Sequence, residues 1–180
     1  GRMALIVGIA PGADQRLSED KIKAYKHFAN KLWNVTRFVL AQPVIEVGLR
    51  KTRDEEIIAE LNALTTEVTN DIENYRFYLA GEKLYHYVWH TFADVIIEET
   101  KTIFKSENKE NLEAKKSAQW LLYTILTASL KLLHPFMPFV TEAVWENLPA
   151  SALKKQDLLM IEPWPTSSGP CRRWTCSRSG

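Results

Sequence analysis

Apolar residues recur every three to four positions through most of this chain, and that period predicts helices rather than strands. In Lys21 to Ala41, KIKAYKHFANKLWNVTRFVLA, steps of roughly 100° per residue sort the side chains into two faces. Ile22, Tyr25, Phe28, Ala29, Leu32, Val35 and Val39 gather on one, with Trp33 and Leu40 at its edge. Lys23, Lys26, His27, Asn30, Lys31, Asn34, Arg37 and Phe38 gather on the other. Ser18, followed by Glu19 and Asp20, suits an N-cap with an acidic first turn, and Pro43 bounds the far end. A second helix starts near Asp54, with Ile57, Ile58, Leu61, Leu64, Val68 and Ile72 as its apolar stripe. A third runs from about Phe77 to Phe104, carries Phe77, Tyr78, Tyr85, Tyr87, Trp89 and Phe92, and is expected to weaken or break at Gly81. A fourth spans roughly Asn111 to His134, with Ala114, Ala118, Leu121, Leu122, Ile125, Ala128 and Leu132 at helical spacing. Pro135 and Pro138 then interrupt the chain, since neither can donate a backbone hydrogen bond, and a short helix from Phe139 to Leu148 follows. Only Leu158 to Ile161 reads as extended. The expected fold is all-α, a helical bundle of four to five helices.

Punctuation divides the chain in three. Gly8 to Gln15, GIAPGADQ, reads as a linker, so residues 1–15 are expected to join the bundle to a larger protein. Residues 16–166 form the bundle, and 167–180, rich in Ser, Gly, Arg and Cys without periodicity, read as a disordered or vector-derived tail. Gly-Arg precedes the first Met, as in a piece excised from something longer. At 180 residues the chain suffices for one well-cored domain. Both cysteines, Cys171 and Cys176, fall in the tail, so the core needs no disulfide and suits a reducing cytoplasm. No run approaches the ~18 apolar residues of a membrane span, so no membrane partner is expected.

Charge changes the picture more than composition does. The net charge of +1 conceals a segregated distribution. Lys21 to Ala41 holds five Lys or Arg and no carboxylate, whereas Asp54 to Tyr75 holds Asp54, Glu55, Glu56, Glu60, Glu67, Asp71 and Glu73 with no Lys or Arg. One basic helix opposite one acidic helix would make a dipolar surface. On the basic face, cations suit phosphates, amides suit base edges, and the ring of Phe38 could stack on an unpaired base. Periodicity alone also admits a solvated face, or a basic surface for an acidic protein partner.

Catalytic signatures are absent: the chain has no phosphate loop, GxGxxG, nucleophile elbow or HExxH. His86, His90, Asp94 and Glu98 recur at intervals of four and could suggest zinc, but this crowded aromatic segment, YHYVWHTFADVIIEE, gives such residues ordinary packing and hydrogen-bonding work. No metal site and no cofactor are expected in this piece.

Three segments carry more than a pattern. FANKLWNVTRF (Phe28 to Phe38), YRFYLAGEKLYHYVWHTFADVIIE (Tyr75 to Glu98) and LLHPFMPFVTEAVW (Leu132 to Trp145) resemble, in order and spacing, the anticodon-binding helical bundle of valyl-tRNA synthetases. Arg2 to Lys21 resembles the join between catalytic core and bundle, and the resemblance covers about Arg2 to Pro165. HPFMPF is shared with the leucine and isoleucine enzymes, leaving an isoleucyl- or leucyl-tRNA synthetase bundle as the alternative. NKLWNxxRF with EKLYxYxWHTFxD favours valine. The resemblance implies a parent class I ligase in the cytoplasm that joins valine to its tRNA with ATP and Mg. It also implies that the catalytic HIGH and KMSKS motifs, missing here, lie in other domains. For this monomeric piece it implies binding of the valine tRNA anticodon stem-loop through Lys31, Phe38, Arg37, Asn34 and Asn30. His27 and Lys23 lie beside these on the same polar face. Arg37 could instead pair with the acidic second helix. Asp20 stands where some relatives have a basic residue, whose place Lys21 or Lys23 could take, and Ala143 stands where a second Glu is common.

Overall fold

The computed structural model describes residues 19–42, 52–105, 112–149 and 156–166. The proposed join, the tail and the Ser18 cap lie outside them. Helices α1 (Glu19–Leu40), α2 (Thr52–Glu73), α3 (Phe77–His86), a π-helical stretch π1 (Tyr87–Ile96), α4 (Ile97–Lys105), α5 (Leu112–Leu133) and α6 (Pro138–Glu146) follow in order, then a short 3₁₀ turn, Leu159–Ile161. Among the described residues there is no strand, and the segment read as extended is that turn, with only Leu158 in extended backbone geometry.

Helix α5 is the axis of the bundle. Its stripe is wider than one apolar face: Ser117, Gln119, Tyr123, Leu126, Thr127, Ser129, Leu130 and Leu133 are buried along with the expected positions, except Ala128, which is only partly buried. A helix buried nearly all round sits at the centre, and α1, α2, α3, π1, α4 and α6 all pack on it. Each fully buried Leu there contributes about 1.5–3 kcal/mol. Two of the buried polar positions of α5 are satisfied in place: Thr127 donates to the Tyr123 carbonyl at 2.9 Å, and Ser117 donates to the Asp54 carboxylate of α2.

Gly81 does not break the third helix. It is buried with Ala80 and Leu84 in α3, whose principal neighbour is α2, and the lack of a side chain suits it to that packed interior. The departure from α geometry comes six residues later, at π1. Between α2 and α3 the chain turns through Tyr75, at φ 60°. Tyr75 N–H donates to Ile72 O at 3.0 Å and Arg76 N–H to Asp71 O at 2.7 Å, the paired bonds of a Schellman closure. Buried Asp71 binds Arg76 Nη2 at 2.9 Å and Lys83 at 2.8 Å, and Lys83 also reaches Glu67 at 3.0 Å.

Pro138 opens α6 at its first turn, where its missing N–H is no loss. The last described segment straps the bundle. Trp145 donates to Gln156 O at 3.1 Å, Leu159 N–H to Glu142 at 2.8 Å, and Trp164 to Thr69 of α2 at 2.9 Å. Lys131 meets the buried Glu162 carboxylate at 2.9 Å.

Candidate nucleic-acid interface

The surface of α1 is decided by what passes beside it. Phe28, Leu32, Val35, Thr36 and Val39 are buried against the core, and Thr36 satisfies its hydroxyl by donating to Leu32 O at 2.9 Å. Lys23, Lys26, His27, Asn30, Asn34 and Arg37 are exposed, as the periodicity expects. Of these, Lys23 is engaged in a further contact. Arg37, left open between RNA and the acidic helix, forms no ion pair with a carboxylate of α2 among the described residues. α1 instead packs against π1, α5 and α6, while the acidic α2 packs against α3 and α5.

Two members of the polar face differ from the expectation of open exposure. Phe38 is half-buried, with its ring edge-on to Phe104 of α4 at 6.2 Å and Lys101 Nζ 5.8 Å above it. Lys31 is half-buried too: its ammonium lies 2.6 Å from Asp94 Oδ1 and 4.2 Å over the Trp89 ring. The two side chains share the flank of α1 along which π1 and α4 run, and a helical wheel drawn for one helix cannot show which flank a neighbour covers. On the other flank Trp33, placed by periodicity at the apolar edge, is 40% exposed. It stands three residues after Asn30 and four before Arg37, so the large ring bordering the polar arc is Trp33. That spacing was the available signal.

The seam between α1 and the end of α3 with π1 is aromatic underneath and charged on top. Phe28 stacks on Tyr85 at 5.0 Å, Tyr85 stacks on Trp89 at 5.7 Å, and Tyr25 meets Tyr85 edge-on at 6.0 Å. Burial, helped by Tyr85 and Glu82, pushes the Tyr25 hydroxyl up to about 12. At the rim, the hydrogen bond from Lys31 holds the Asp94 carboxyl below the usual carboxylate range. The other Asp94 oxygen lies 3.6 Å from His90 Nδ1, and the His90 and His86 rings are 4.8 Å apart. Asp94 thus serves Lys31, and among the described residues no three His, Cys, Asp or Glu side chains converge as metal ligands would.

This arrangement can hold polyanions along the exposed arc and offer amides and rings to unpaired bases. No helix among the described residues is long and apolar enough to cross a membrane. Residues 54–174 match the family described as the anticodon-binding domain of tRNA ligase. The chain is 42% identical to the valine–tRNA ligase of Thermotoga maritima over 168 residues, 91% of this chain and 18% of that protein. It is 37% identical to that of Clostridium acetobutylicum and 36% to that of Bacillus anthracis, over 92% of this chain and 19% of each relative. The chain therefore spans about a fifth of the length of these relatives, and the overlap takes in α1.

Proposed function

The chain belongs to the anticodon-binding domains of tRNA ligases, and on that footing we propose that it binds the anticodon stem-loop of valine tRNA as part of a valine–tRNA ligase. The parent's ATP- and Mg-dependent joining of valine to tRNA takes place in domains outside this chain. The bundle binds without catalysis or cofactor of its own, as a monomeric unit in the cytoplasm. The observation that supports this best is the exposed arc of α1, where Lys23, Lys26, His27, Asn30, Asn34 and Arg37 face solvent with Trp33 beside them.

In this reading Arg37 and Lys23 bind phosphates, with His27 alongside, and Asn30 and Asn34 reach base edges. Lys31 contacts a base or phosphate from the rim of the π1 seam. Phe38 offers the part of its ring that Phe104 leaves open, and Trp33 supplies a second stacking surface. The test is a titration of labelled valine anticodon stem-loop at moderate salt, beside a loop with its second and third anticodon bases changed. Clear preference for the valine loop supports the reading. Equal binding reduces the arc to a generic phosphate surface, and better competition by isoleucine or leucine tRNA assigns the parent to those enzymes.

A further inference from the structure

An exposed ion pair contributes little to stability, so the Lys31–Asp94 contact does not by itself explain the winding that produces it. That winding is uncommon: π1 runs for 10 residues, and its last turn closes with the Ile97 N–H on Phe92 O, a step of five. Trp89 and Asp94 are also five apart. On an α-helix they would point about 140° away from each other, given roughly 100° per residue. With i to i+5 bonding they stand one turn apart on a single face, and both reach Lys31. The π stretch is what assembles this clamp.

A free lysine on a nucleic-acid surface binds any phosphate, and such contacts carry no sequence information. Lys31 is not free in that sense. One of its three N–H groups is taken by Asp94 and Trp89 lies under the ammonium, so the remaining donors keep a fixed direction while the carboxylate cancels most of the pull on phosphate.

We propose that Asp94 is a specificity-determining positioning residue, which with Trp89 turns Lys31 from a phosphate anchor into a directed donor to an acceptor on an anticodon base edge. This rests on the anticodon-loop reading above. The test is Asp94→Asn in the full 180-residue chain, titrated with the valine stem-loop and with the loop altered at its second and third anticodon bases. With the carboxylate gone, Lys31 is released to phosphate. Affinity for the altered loop then rises about fivefold at 0.1 M salt, because each added phosphate contact on a single strand steepens the log–log salt slope by roughly 0.7. Affinity for the valine loop changes less, so discrimination falls. Asp94→Glu, which returns the carboxylate, restores part of it, and far-UV circular dichroism is the same for all three proteins. A wild-type preference that Asp94→Asn leaves intact, or an equal gain for both loops, overturns this proposal alone. Equal binding of the two loops by the wild-type chain overturns the anticodon reading, and the proposal with it.

Discussion

Trp33 and Phe38 show how much one neighbouring helix changes the meaning of a side chain. Both are large rings at the margins of the same polar arc, yet Phe104 covers part of Phe38, while Trp33 keeps 40% of its surface. Trp33→Ala should therefore weaken stem-loop binding, since stacking on a base is worth about 1–3 kcal/mol, and lower the melting temperature less than loss of a fully buried ring would, because 40% of its surface is already open. Phe38→Ala should weaken binding and also destabilise the fold by about 2 kcal/mol, as a half-buried ring leaves an edge-on contact. In a domain of this size that is a drop of roughly 4–8 °C. Melting curves and titrations on the two variants check both statements. Full binding by Trp33→Ala would remove that ring from the interface.

Helices with a one-sided apolar stripe were legible from period alone: α1 and α2 fall where the pattern puts them, and Pro135 and Pro138 separate α5 from α6. Three features were not, each for a physical reason. Gly81 has a weak helix propensity, but burial in α3 outweighs it. The π winding leaves no mark in the period, and its effect, Trp89 and Asp94 brought onto one face, shows only against Lys31 of α1, which lies far away in sequence. Leu158 to Ile161 reads as extended but meets no strand among the described residues, and the Glu142 carboxylate holds the Leu159 N–H instead. The hairpin between α2 and α3 stores strain for a similar tertiary reason. Tyr75 occupies the left-handed closing position that glycine normally fills, pinned by the Asp71 contacts of Arg76. Tyr75→Gly should raise stability by about 1 kcal/mol in urea unfolding, the usual size of this strain, less whatever the ring contact with Phe77 contributes. A loss of stability would mean that the ring contributes more than the strain removes.

Across the chain the segregated charge was legible, but its consequences required the fold. Two carboxylates of α2, Glu67 and Asp71, are taken up by Lys83 and Arg76, whereas the arc of α1 is exposed. The same pairs set the response to pH. Burial pushes the Asp71 carboxyl up, but Lys83 and Arg76 together outweigh it and hold it below the ordinary value, and Lys31 does the same for Asp94. Lowered carboxylates give stability above the unfolded pKa of about 4, lost as pH falls through their folded values. Tyr25, raised to about 12 by burial, works in the opposite sense, and Lys83 is raised by its bonds to Asp71 and Glu67. Their stability is present below the ordinary value of about 10 and declines above it. The melting temperature should thus be flat from about pH 5 to 9 and fall on both sides. Asp71→Asn should shrink the acid limb.

The most direct view of the interface is an amide and indole NMR titration of the chain with valine anticodon stem-loop. Shifts concentrated at Asn30, Trp33, Asn34 and Arg37, with the Trp33 indole moving while the hydrogen-bonded indoles of Trp145 and Trp164 stay in place, are the expected result. Shifts gathered on α2 or on the strap of residues 156–166, with α1 silent, would contradict the account.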